Sequence, residues 1–368
     1  MYGLKSIYVT VFLLLILALP FIMLMGGGKN RRVQQKFGLL FLFFVLYFFA
    51  AFRAETVGGD LEHYIPHFRE ICSVINFSDI FDLRSSNYEP GYTILCWLIS
   101  RISNSVFVFL AITSFISLVG PFSLAKRYSV WPCVSILIYI MLGFYTNTYN
   151  NVRQSIAISI IFCSIPYLLS KKTIKFLLFV ALAGSMHTSA LVFVLAYLIR
   201  YIPISFKSFT VSLAAGYAVS TVSGIVIVQY LGSLFLSKYE ELLGEGHGKT
   251  LMIIYIFITM CALFVYKKKQ IIRNEEHTTL FIRFILAATI IQMFAIYFSS
   301  IVRLTYYFYI PIIVLLPNLL RTIRNVTTRR IVCVCIFFVL LYYMAAVYSY
   351  LPDTNSNSQG VIPYSLNI

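Results

Sequence analysis

The sequence predicts an all-α protein, a single polytopic bundle of about twelve (roughly eleven to fourteen) membrane-spanning helices, and three observations carry that reading. Hydrophobic residues make up 60% of the 368 residues and charged residues only 11%, far less polar surface than a soluble fold of this length needs. Uncharged runs of about 18 residues or more recur along the chain, the length a helix needs to cross hydrocarbon. The runs are continuous rather than alternating, which excludes a closed barrel, the other architecture that satisfies its backbone in lipid.

Taken in order, the runs place spans near 5–25, 37–53, 104–125, 131–148, 152–169, 174–185, 187–200, 206–230, 249–266, 278–298, 302–320 and 330–350. A weaker segment at 89–101 reads as re-entrant. The first run lacks an A-x-A site and is followed by Lys and Arg, which marks a retained helix and not a cleaved signal peptide. The spans at 174–185 and 187–200 are short, and Gly184 and Ser185 allow a break between them.

The net charge is +16, and its distribution decides what it means. The connecting segments 26–36, 126–127, 171–175, 200–207, 267–283 and 321–330 fall on one side of this count and hold twenty of the 29 Lys and Arg but only two acids, Glu275 and Glu276. The positive-inside rule makes that side cytoplasmic, and both termini are then periplasmic. The basic charge is topological, because no soluble face exists to present it to nucleic acid. Three external segments are expected: a first periplasmic loop at 54–88, a second at 231–248 whose "SKYEELLGEGHG" reads as an amphipathic lid with a Gly-rich hinge, and a C-terminal tail at 351–368. Seven Cys are scattered, five of them in spans, so neither a disulfide framework nor a metal spacing is present.

No P-loop, GxGxxG or HExxH is visible, which leaves nucleotide hydrolysis and zinc proteolysis without support. What remains is a set of ionisable residues at the external boundary: Arg53, Asp60, His63, Tyr64, Glu89, Arg153, His187 and Arg303. Charges there are costly unless they pair or line a watery cavity, so each is a functional candidate. Each also has a structural reading. Arg53 ends a span, as a snorkelling anchor does. Glu89 precedes Pro90, a favoured start for a helix. An external anchoring Arg runs against the charge bias, and Arg153 has Asn150, Asn151 and Gln154 beside it. His187 is either a cavity imidazole or a buried ring bonded to Thr188 or a carbonyl. Arg303 opens a span with Tyr306, Tyr307 and Tyr309 close behind, an aromatic belt or a sugar-stacking surface beside an anion site.

The order of "RAETVGGDLEHY" (53–64), "YEPGY" (88–92), "YNNVRQSIA" (149–157), "HTSAL" (187–191) and "VRLTYYF" (302–308) resembles the EpsG-like group of Wzy-type polysaccharide polymerases. The likeness spans most of the chain from Arg53 to about Pro317, and order and spacing carry it. Where such proteins often have an Arg-x-Gly-x-Asp-like run, here "AETVGG" separates Arg53 from Asp60. The resemblance implies an O-antigen or capsular polysaccharide polymerase of the bacterial inner membrane. Such an enzyme joins undecaprenyl-diphosphate-linked repeat units on the periplasmic face, alongside a chain-length regulator, and needs no cofactor.

That reaction has requirements the residues can meet. A glycosyl diphosphate leaves as an anion, and with no metal-binding DxD the arginines Arg153 and Arg303 are the natural groups to stabilise it. The acceptor hydroxyl needs a proton acceptor within reach; His187 is the first choice, followed by Glu89 and Asp60 as bases or as sugar-binding carboxylates. Arg53, Asn150, Asn151, Gln154 and the aromatic rings of Tyr64, Tyr92, Tyr306 and Tyr307 are expected to contact substrate. Three alternatives stay open: a lipid-linked oligosaccharide flippase, a sugar O-acetyltransferase and an O-antigen ligase. A flippase would carry internal repeats, and none is seen; the acetyltransferase would need access to a cytoplasmic acyl donor; the ligase uses nearly the same chemistry.

Overall fold

In a computed structural model, the described residues are 31–83, 88–239, 248–269, 272, 274–295, 301–347, 350–351, 356–357 and 364–365. They form helices connected by short turns: α1 (Arg31–Ala51), α2 (Leu61–Cys72), α3 (Pro90–Ile102), α4 (Val106–Tyr128), α5 (Pro132–Met141), α6 (Phe144–Asn150), α7 (Val152–Leu169), α8 (Thr173–Met186), a 3-10 segment (Thr188–Leu195) running into α9 (Ala196–Ile199), α10 (Phe206–Tyr239), α11 (Gly248–Lys268), α12 (Glu276–Phe294), α13 (Val302–Tyr309), α14 (Ile312–Leu320) and α15 (Val326–Val347). One small antiparallel pair, Tyr350–Leu351 with Ser356–Asn357, follows α15.

The protein is therefore a helical membrane protein. Five of the described helices are long and apolar enough to cross a bilayer, or six if α13 and α14, bent by 43° at their junction, make one span. Each expected span after the first coincides with a helix or a broken helix pair. The span at 5–25 and residues 240–247 of the proposed lid lie outside the described residues, and α10 continues to Tyr239, beyond the expected end at 230. Large apolar side chains such as Phe44, Ile174, Leu178, Phe257 and Phe338 are exposed on the helices' outer faces, as a surface solvated by lipid requires.

Small residues and breaks shape the bundle where α7 passes its neighbours. The Gly120 N–H of α4 donates to Ser159 Oγ of α7 at 2.7 Å, an approach that a side chain at position 120 would prevent. Gly143, at φ 74°, takes the left-handed turn that divides the expected 131–148 span into α5 and α6.

The first external segment is more ordered than a loop. Leu61, Tyr64, Ile65, Phe68 and Ile71 fall on one face of α2 and pack with Tyr92, Cys96 and Ile99 of α3, Phe109 and Leu110 of α4, and Val152 and Ile156 of α7. The i, i+3, i+4, i+7 spacing of those apolar residues makes α2 amphipathic. This second, smaller core caps the end of the bundle and brings α2, α3 and the start of α7 together. The C-terminal segment returns to the same end, where Ala54 N–H donates to Ser365 O at 2.9 Å and Tyr364 OH to Phe49 O at 2.6 Å.

Candidate active site

Three helix boundaries meet over the small core. Glu89 stands at the N-cap of α3, with Pro90 opening the helix. Arg153 is the second residue of α7, and His187 sits in extended conformation between α8 and the 3-10 segment, at the break that Gly184 and Ser185 allow. Boundaries leave backbone groups unpaired and side chains aimed past the helix end, so polar groups collect there. Side chains 64 and 98 positions apart in sequence are thereby brought into hydrogen-bond range.

Glu89 is the hub. Its Oε2 accepts from Arg153 Nη1; its Oε1 takes His187 Nδ1 at 2.9 Å, the Thr188 backbone N–H at 3.0 Å and Thr188 Oγ1 at 3.3 Å. The three principal side chains are only partly accessible, 13% for Glu89, 21% for Arg153 and 17% for His187, so solvent screens them weakly. Burial raises the Glu89 carboxyl, but the bonds from His187 and Thr188 and the Arg153 charge outweigh it and hold the group down to about 2. With its carboxyl held that low, Glu89 is ionised at neutral pH.

The ionised carboxylate fixes the imidazole. It offers acceptors only, so Nδ1 carries a hydrogen toward it. Nε2 makes no hydrogen bond among the described residues and is left with a lone pair in the neutral ring. The Arg153 guanidinium is held a second way, with its carbon 4.5 Å from the Tyr88 ring centroid and 5.6 Å from that of Tyr64. Tyr88 is itself anchored through OH to His63 O at 3.0 Å.

Helix α13 closes the far wall. Gln154 Nε2 donates to Arg303 O at 2.7 Å, and Tyr307 OH pairs with Ser189 Oγ at 2.9 Å. The Arg303 side chain is exposed and, among the described residues, has neither a hydrogen-bond nor an ion-pair partner. Its charge acts on Tyr64 and Tyr306, which places it beside the Arg153 cluster. Among the described residues, Arg153 has its charge matched and Arg303 does not.

Other expected site residues occupy different positions. Asp60 is the N-cap of α2, half-buried, and contributes a negative charge near Tyr64 and Tyr88. Asn150 Oδ1 accepts the Gly59 N–H at 2.7 Å, while Gly58, at φ 117°, crosses Tyr149 O so closely that a Cβ would stand 2.6 Å from it. Asn151 Nδ2 donates to Asn147 Oδ1 at 2.7 Å. Those two amides hold the turn into α7 and the Gly-Gly loop. Arg53, Tyr92, Tyr307 and Gln154, expected to contact substrate, are buried, with Arg53 1% accessible. Tyr306 is half-buried against Phe144.

Tyr88, Thr188 and Ser189 belong to the site without having been singled out for it. Two of them adjoin residues that were: Tyr88 precedes Glu89 and Thr188 follows His187. No curated protein and no solved structure matches the chain. The family model described as EpsG matches residues 36–366, a range that contains every residue of this cluster, and the chain belongs to the EpsG family, whose members are polysaccharide polymerase-like.

Proposed function

We propose that the protein is a Wzy-type polymerase of the bacterial inner membrane that joins undecaprenyl-diphosphate-linked repeat units at the periplasmic face without a metal. The observation that carries the reading is the Glu89 hub, which orients an imidazole and steadies a guanidinium in one partly enclosed cluster. Glycosyl transfer from a lipid diphosphate needs both: a group to take the acceptor's proton and a positive environment for the leaving diphosphate.

In this mechanism His187 Nε2 removes the proton of the acceptor hydroxyl as its oxygen attacks the anomeric carbon of the growing chain. The bond from that carbon to the diphosphate oxygen breaks, and undecaprenyl diphosphate leaves with the electron pair. Arg303, unpaired among the described residues, meets the diphosphate charge. Arg153, already bonded to Glu89, sets the geometry and adds positive potential. Glu89 stabilises the imidazolium that forms, as a buried carboxylate behind a catalytic His does elsewhere. Asp60 is positioned for acceptor hydroxyls, and a chain-length regulator is the expected protein partner.

The experiment is deletion of the gene followed by gel analysis of the lipopolysaccharide. A polymerase leaves one repeat unit on the core and no ladder. No repeat at all indicates a flippase or a ligase, and an unchanged ladder with altered acetylation indicates an acetyltransferase. The proposed facing is tested in a background stripped of its seven Cys: an impermeant thiol reagent should reach Glu62→Cys from outside and not Lys268→Cys.

A further inference from the structure

A cavity of about 410 Å³ lies at the other end of α7, lined in part by Leu168 and Leu169, the last two residues of that helix. Arg153 and Leu168 are fifteen residues apart on α7, so the cavity is about 22 Å along the helix axis from the Glu89 cluster. Lys171, Arg200 and Arg283 line it, against one carboxylate, Glu276, with the hydroxyl of Thr279 and the ring of Tyr201 beside them.

The disposition of these cations is not that of surface anchors. Arg200 has a side chain only 8% accessible; Nη1 donates to Leu168 O at 2.6 Å, and Nη2 stands 3.7 Å from a Glu276 carboxylate that is 65% accessible. A pair so long and so wet offsets little of the charge. Arg283 is the eighth residue of α12, about 10 Å into the helix from Glu276. Its Nε donates to Ile202 O at 2.7 Å, and no carboxylate lies within 4.0 Å of its guanidinium among the described residues. A charge carried that far into a span is costly unless it pairs or faces a polar cavity. Lys171 stands at the rim in the left-handed conformation, φ 59°, which a Lys rarely adopts and which turns the chain sharply between α7 and α8. Leu169 and Tyr201 of the lining, the latter 63% accessible, supply an apolar flank to the basic mouth.

We infer that this cavity binds a phosphate-bearing anion, seated between the Arg283 and Lys171 side chains. Excess positive charge inside a concave wall, with a planar guanidinium and an ammonium to donate, is the chemistry that recognises a phosphoryl group. The apolar flank fits the acyl chains of an anionic lipid; a soluble phosphate or diphosphate would meet the same donors. The inference stands apart from the polymerase reading and from any activity.

The test uses the purified full chain in a neutral detergent, read by thermal unfolding with added phosphatidylglycerol, phosphatidylcholine or inorganic pyrophosphate. Phosphatidylglycerol should raise the melting temperature and phosphatidylcholine should not. In Lys171→Asn/Arg283→Gln about tenfold more phosphatidylglycerol should be needed for the same rise, the effect of losing charge-assisted bonds. Asn suits the left-handed conformation at position 171, so Lys171→Asn alone serves if the double variant does not fold. A pyrophosphate shift lost in the variants would support the same site and assign it to a soluble phosphate. Equal shifts in wild type and variants, or none from any anion, would overturn the inference.

Discussion

Arg153 and Arg53 are both arginines at the edge of an apolar run, yet their surroundings differ. Arg153 is partly accessible, bonded to a carboxylate and set against two tyrosine rings. Arg53 is fully buried with no carboxylate within 4.0 Å among the described residues; it donates to Ala50 O and to Ser114 Oγ, the latter at 3.0 Å, and lies 4.7 Å from the Tyr149 ring centroid. Its surroundings are backbone, hydroxyl and aromatic ring, which hold the end of α1 against α4 and α6. The difference teaches that boundary position marks a charge as significant, while the partner decides its role. A charge matched by another titratable group is placed for chemistry, and one bonded to backbone, hydroxyl and ring is placed for support.

The comparison breaks most visibly under substitution of Arg153. Arg153→Ala should abolish polymer formation, and Arg153→Lys should recover little, because an ammonium keeps the charge but loses the planar fork held by Glu89 and the two rings. We expect the Lys variant to turn over roughly ten- to a hundredfold more slowly, since misplacement of a positioned group by about 1 Å has an effect of that order. Full activity at equal protein level would reduce Arg153 to an anchor.

Arg53→Ala sharpens the other half. It removes the bonds to Ala50 and Ser114 and leaves a void beside Tyr149, with an expected loss of about 2–4 kcal/mol in stability. Turnover per folded molecule should stay near that of the wild type. A lowered turnover at unchanged melting temperature would move Arg53 from support to site.

The smallest effect comes from the small core itself. His67 is buried on α2 against Tyr88 and Tyr92. Burial lowers it to about 4, with Glu70 pulling the other way. Between pH 6.5 and 4 the unfolded chain takes up a proton that the folded chain refuses, so stability falls as the pH drops through that window. Below about pH 4.5 Glu89 adds to the loss, because the unfolded chain's carboxyl takes up a proton that the folded one, held down to about 2, refuses. Melting curves at stepped pH should show the first decline, and His67→Gln should flatten it.

The helices were legible because a span is a continuous apolar run, and even the short 174–185 segment is a helix, Thr173–Met186. Breaks were legible where glycine signals them, as at Gly184 before His187. The 43° bend between α13 and α14 was not, since Pro311 at a helix start and Pro311 at a kink look alike in sequence. Arg153, Glu89 and His187 could each be named from sequence because polar groups are rare in such a chain. Their meeting could not, because it depends on how α3, α7 and α8 pack, and no local pattern encodes that. The acidity of Glu89 was hidden for the same reason: it is set by donors that lie far away in sequence.

The central claim is that Glu89 acts through His187, and a double-mutant cycle in turnover tests it most directly. Purified wild type, His187→Gln, Glu89→Gln and the double variant would be assayed with synthetic lipid-diphosphate repeat units, beside melting curves that confirm folding. His187→Gln should lower turnover by roughly two to four powers of ten, the span of general acid–base effects. The account predicts that adding Glu89→Gln to that variant does little more, as residues that act as a unit are not additive. Near-normal turnover in His187→Gln, or losses that multiply in the double variant, would contradict it.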